Sequence, residues 1–70
     1  MLPLIFADEN KEYTVGMISG NNTLQRLQSM GIRVGAKIEI ISKNIAGVII
    51  KIGNARYSLD RLIAKRISVK

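Results

Sequence analysis

The chain has no cysteine and no histidine. Their absence excludes disulfides, thiol redox chemistry and Cys/His zinc sites together. It also removes the side chain most often used as a general acid or base near neutral pH. Aromatic residues are scarce, with Phe6, Tyr13 and Tyr57 the only three, so platforms for stacking unpaired bases are nearly absent. No segment approaches the roughly 20 apolar residues that cross a bilayer. The run Leu2-Pro3-Leu4-Ile5-Phe6 is too short for a signal peptide and has no basic residue before it. These absences lead to the expectation of a cytoplasmic chain.

What is present is apolar and β-branched. Hydrophobic residues make up 47% of the 70, and twelve are isoleucine. Isoleucine is stiff at χ1 and packs well on a pleated strand surface, so the expected class is mainly β. Seventy residues suit one domain over 1–70. A domain of this size buries only about 60% of its unfolded surface; without disulfides it must hold by packing alone.

Net charge is +6, unevenly placed. Residues 1–12 carry Asp8, Glu9 and Glu12 against Lys11, a net of −2, whereas residues 13–70 carry ten Lys or Arg against Glu39 and Asp60, a net of +8. A field of that sign favours encounter with anionic partners such as nucleic acid, lipid headgroups or an acidic protein surface. It also serves solubility.

The clearest local signal is a hairpin over 47–59. Val48 to Ile52 and Ala55 to Leu59 flank Gly53-Asn54, a two-residue primed turn. That turn sets Ile52 against Ala55, Ile50 against Tyr57 and Val48 against Leu59, all on a core-facing side. The other side sets Ile49 against Ser58 and Lys51 against Arg56. Two like charges facing each other hint at an anionic neighbour, although two long cations splaying into water is the favoured reading. Lys37 to Ile41 reads as a strand with Ile38 and Ile40 inward, followed by a loop over Lys43-Asn44-Ile45-Ala46. Tyr13 to Ile18 is a strand whose alternation slips after Gly16, which suggests a bulge there. Ile67-Ser68-Val69 closes the set, and five short strands suggest a small, bent barrel.

One helix interrupts the strands. Asn22 is its expected cap, with Gln25 as in a capping box, and Leu24, Leu27 and Met30 form an apolar stripe. Gly31 suits the left-handed position after the helix, letting Ile32 pack back on Leu27. Asp60 is the expected cap of a short helical turn over Arg61–Ala64.

No constellation for catalysis emerges. The five acids are scattered, and Asp8, Glu9 and Glu12 read as a solvated turn. The serines have no histidine partner, and the glycines fit neither Gly-rich nucleotide fingerprint. Met17 and Met30 lie in apolar patterns where methionine fills space. The expectation is a binding protein, not an enzyme, with no cofactor and no metal site.

The stretch Leu24-Gln25-Arg26-Leu27-Gln28-Ser29-Met30-Gly31-Ile32-Arg33-Val34-Gly35-Ala36-Lys37-Ile38-Glu39-Ile40 combines a short helix, an apolar-Gly-apolar cap, a second glycine and a strand. With Leu2-Pro3-Leu4 and Ala7 at the start, Ile18-Ser19-Gly20 before the helix, and Tyr57-Ser58-Leu59-Asp60, Ala64 and Ile67-Ser68-Val69 at the end, it resembles the FeoA family. That family is the small cytoplasmic component of bacterial and archaeal ferrous-iron transport. The resemblance implies an SH3-like barrel related to the C-terminal domains of iron-dependent repressors. It also implies a partner, the FeoB membrane transporter with its cytoplasmic GTP-binding domain. Family descriptions include transition-metal binding, but this chain has neither His nor Cys. Asn44-Ile45-Ala46-Gly47 lacks the proline that many members carry there.

Exposure and charge pick out Arg33, Lys37, Lys51 and Arg56, beside Ile49, as the expected partner-contacting surface. The alternatives are a basic barrel binding nucleic acid, disfavoured by the missing aromatics, and a regulator of the transporter's GTPase working through an exposed arginine. The chain is expected to be a monomer or weak homodimer, reaching the membrane through its partner only.

Overall fold

The computed structural model describes residues 1–70. Six strands form one antiparallel sheet: β1 (Leu2–Pro3), β2 (Glu12–Ile18), β3 (Lys37–Asn44), β4 (Gly47–Ile52), β5 (Ala55–Asp60) and β6 (Ile67–Val69). Their spatial order is β1-β6-β2-β3-β4-β5. A 3₁₀ turn follows β1 at Leu4–Phe6, helix α1 (Asn21–Ser29) joins β2 to β3, and the one-turn helix α2 (Arg61–Ala64) joins β5 to β6. The sheet thus has six strands where the sequence suggests five. The extra one, β1, has two residues, too few for any alternation, and pairs with β6 through Leu2↔Val69 and Pro3↔Ser68.

The sheet bends at two irregularities. Register shifts between Val15 and Met17, which makes Gly16 the bulge residue its broken alternation suggests, and again between Ile40 and Ser42. Each added residue increases the local twist and curls the sheet around its apolar face. Thirteen residues are buried, all apolar, with Leu4, Ile32, Ile38, Ile40, Ile50 and Ile67 among the largest. No buried side-chain polar atom lacks a partner, so the core carries no desolvation penalty of that kind. No helix is long and apolar enough to cross a membrane.

The β4–β5 hairpin has the register that its turn demands: Ile52↔Ala55, Ile50↔Tyr57 and Val48↔Leu59 on one side, Lys51↔Arg56 and Ile49↔Ser58 on the other. Val48, Ile50 and Leu59 are buried; Ile52, Ala55 and Tyr57 are half-buried towards the tip. The segment before it differs from expectation. Strand β3 runs to Asn44, and the connection is only Ile45-Ala46. Asn44 makes this short turn possible, because its Oδ1 accepts from the N–H of Ala46 at 2.8 Å and of Gly47 at 3.0 Å.

Helix α1 also starts differently. Its N-cap is Gly20, at φ +90°, and no side chain caps it; Asn22 lies within the first turn. The Gly20 carbonyl accepts the first helical bond, from Leu24 N–H at 2.9 Å, so the chain enters the helix before Asn22 can act. The C-terminus follows the sequence reading. Gly31 has φ +84°, its N–H bonds to Gln28 O at 3.0 Å, and Ile32 N–H bonds to Leu27 O at 2.9 Å. Those two bonds define a Schellman motif, and they bring Ile32 and Leu27 together in the core.

The Asp60 carboxylate caps α2, its Oδ1 accepting from Ile63 N–H at 2.9 Å. Asp60→Ala is therefore expected to lower stability by about 1 kcal/mol, with Asp60→Asn nearly neutral, as urea unfolding of the two variants will show. The acidic N-terminal segment is tied down more than its polarity suggests. Glu9 accepts from Lys43 N–H at 2.6 Å, Asn10 N–H bonds to Ile40 O at 2.7 Å, and Glu12 belongs to β2.

Candidate functional site

Strand alternation places Lys37 and Glu39 of β3, Ile49 and Lys51 of β4, and Arg56 and Ser58 of β5 on the outer face of the sheet, opposite the core. Cross-strand pairs align Glu12, Glu39, Lys51 and Arg56 in one row, since Glu12 faces Glu39, Glu39 faces Lys51 and Lys51 faces Arg56. The flanking rows are Thr14 with Lys37, and Ser42 with Ile49 and Ser58. That row is therefore divided, acidic across β2 and β3 and basic across β4 and β5. Glu12 and Glu39 are far apart in sequence, and only the register reveals that they lie beside the basic pair.

The structure gathers four of the five candidate residues on that face: Lys37, Ile49, Lys51 and Arg56. Arg33 is exposed in the connection between α1 and β3, outside any strand, where its carbonyl accepts from Ala36 N–H at 3.0 Å. The only ion pair within 4 Å joins Lys11 to Asp8 at 3.9 Å. Lys51, Arg56, Lys37 and Arg33 thus have no acidic partner in contact and remain available to one.

A groove of about 360 Å³ opens beside this face. Thr23, Arg26 and Leu27 of α1 and Met30 just after it line one wall, Ile49 and Ser58 to Asp60 the other, and Ile63 of α2 also borders it. Ile49 belongs to both the groove and the charged face. The groove itself is invisible in the sequence, because it arises from the spacing of α1 from a hairpin some 20 residues on. The one hint is that the stripe on α1 is wider than its burial: Leu27 is buried, whereas Leu24 and Met30 remain half-buried.

The FeoA domain model matches residues 2–70. This chain belongs to the FeoA family. A Methanocaldococcus jannaschii protein named as a candidate Fe(2+) transport protein A is 38% identical over 71 residues, spanning 100% of this chain and 87% of that protein. Among solved structures, the crystal structure of the iron uptake regulatory protein FeoA aligns with a TM-score of 0.87 at 30% identity, over 99% of this chain and 93% of its own. The zinc complex of Stenotrophomonas maltophilia FeoA, described as an SH3 domain protein, aligns with a TM-score of 0.82 at 19% identity, over 100% and 91% of the two chains. The latter likeness concerns the fold, which is SH3-like as the resemblance implies. This FeoA member brings no three Cys, His, Asp or Glu side chains together, and tight transition-metal sites rely on imidazole or thiolate.

What the site can do chemically is bind. Unpaired cations, one apolar side chain among them and an adjoining groove suit a protein surface that carries carboxylates and an apolar projection. Like charges at Lys51 and Arg56 cost a few tenths of a kcal/mol in the isolated domain. Arg56→Glu is expected to change folding stability by less than about 1 kcal/mol, and raising salt should shrink the difference; thermal unfolding at two salt concentrations measures both.

Proposed function

We propose that this chain is a small cytoplasmic accessory protein of ferrous-iron transport that binds the cytoplasmic side of a FeoB-type membrane transporter. Family membership over residues 2–70 carries the reading, and the 38% identical M. jannaschii relative supports it through its name. Lys51, Arg56 and Lys37, with Ile49 at the mouth of the groove, form the contact surface, and Arg33 adds charge at its margin. In this role iron is the transporter's cargo, and the chain acts on the protein that moves it.

Pull-down with the transporter's cytoplasmic domain at low salt tests the reading. Binding is expected, and Lys51→Glu with Arg56→Glu should weaken it by about tenfold or more, equivalent to 1.4 kcal/mol. No binding, together with normal iron uptake in a strain lacking the gene, would sink it. GTP hydrolysis by the transporter, measured with and without the chain, separates a docking subunit from a regulator of catalysis.

A further inference from the structure

Strand β5 is one of the two edges of the sheet, and it is the one left open. The other edge, β1, has two residues and contains Pro3, both standard ways of preventing further pairing. Strand β5 has six residues and no proline, and its pairing with β4 runs without a register shift from Ala55 to Asp60.

The hairpin determines which backbone groups are free. A two-residue turn makes Ile52 and Ala55 a hydrogen-bonded pair, and alternation then makes Ile50/Tyr57 and Val48/Leu59 bonded pairs too. The N–H and C=O groups of Arg56 and Ser58 therefore point away from β4. No hydrogen bond within the chain engages them. They form a ready template for one more strand.

The surroundings specify what that strand carries. On the outer face Arg56 stands beside Lys51 with no acidic group in contact. Towards the Ser58–Asp60 end of the strand lies the groove, with Leu27, Met30 and Ile63 in its apolar wall. We propose that β5 accepts an extended segment of the transporter's cytoplasmic region as an added strand, with an acidic residue opposite Arg56 and an apolar residue two positions away, opposite Ser58, entering the groove. Alternation in the added strand keeps these two side chains on one face. This rests on the docking function proposed above and names the chemistry of the docked segment. A second copy's edge strand would arrive with its whole sheet behind it, on the side that α1 borders.

Backbone amide exchange, followed by NMR on the full chain with and without the transporter's cytoplasmic domain, tests the proposal. The amides of Arg56 and Ser58 should slow by at least tenfold in the complex. Ser58→Pro removes only an outward-facing N–H, a position where an edge strand tolerates proline. It should lower affinity about 3- to 10-fold, as expected for one interfacial hydrogen bond, and by more than Ser58→Ala, which keeps the backbone N–H. A complex without protection of these two amides overturns the added strand and leaves the docking function standing. Absence of any complex overturns both. Protection of the same amides in the free chain, with a dimer mass in sedimentation, assigns the edge to a second copy and also overturns the proposal.

Discussion

Gly47→Ala is expected to lower the unfolding free energy by about 2–3 kcal/mol, a drop of roughly 10–20 °C in Tm for a domain this small. Gly47 opens β4 and faces Asp60, where β5 turns into α2. A methyl group placed on it would overlap the Leu59 carbonyl oxygen and press on Asp60 Cα. Both obstacles are backbone, so no side-chain rotation relieves them, and the ladder must part at that point. The same residue lies under the cap of α2 and beside the Asn44 turn, so the strain spreads to both. Gly53→Ala is the control. Nothing stands within 4 Å of its added methyl, and only its left-handed φ of +58° opposes the change, by about 1–2 kcal/mol. Urea unfolding of the two variants should rank them in that order; equal losses would show that the Gly47–Leu59 approach is not the constraint.

The largest effect is expected for Ile50→Ala, about 2–5 kcal/mol. Ile50 is wholly buried, at the middle of β4, with Ile40 beside it on β3 and Tyr57 on β5. Its removal leaves a cavity bordered by three strands already held in register, so collapse is limited. A domain of 70 residues has a stability of about 4–10 kcal/mol, so this one substitution removes a large share of it. Ile49→Ala, one residue away, reverses the outcome. Ile49 is half-buried on the outer face; its loss should cost less than about 1.5 kcal/mol of stability but weaken partner binding. Unfolding curves and pull-down of the two variants together separate folding from docking; a large stability loss for Ile49→Ala would place it in the core instead.

Those adjacent isoleucines show how much of the fold the sequence carries. Alternation over 48–59 with Gly53-Asn54 between the arms determines the register, and register decides which isoleucine is core. Gly31 and Ile32 mark the end of α1 because left-handed backbone and a returning apolar side chain are local requirements. The misses have local causes too. Asn22 has the chemistry of a cap, but Gly20 reaches the helical turn first with a φ that asparagine does not need to supply. Asn44 reads as loop, yet its carboxamide folds a two-residue turn and lets β3 continue. The site was legible only in part. The facing cations Lys51 and Arg56 follow from hairpin register, whereas the pairing of Glu39 with Glu12 depends on β2 and β3 meeting across α1, and its pairing with Lys51 on the bulged register between β3 and β4. The groove depends on how far that helix stands from β5, and no local pattern encodes such a distance.

The row Glu12, Glu39, Lys51, Arg56 sets two negative charges and then two positive ones across four neighbouring strands, which gives the outer face a transverse dipole. In the field of an acidic partner of the kind proposed, the molecule would feel a torque as well as a pull and turn its β5 edge forward before contact. Orientation is then expected to precede docking, over distances of about 8–10 Å, the screening length near physiological salt. Ionic strength should consequently alter the rate of association more than the rate of release.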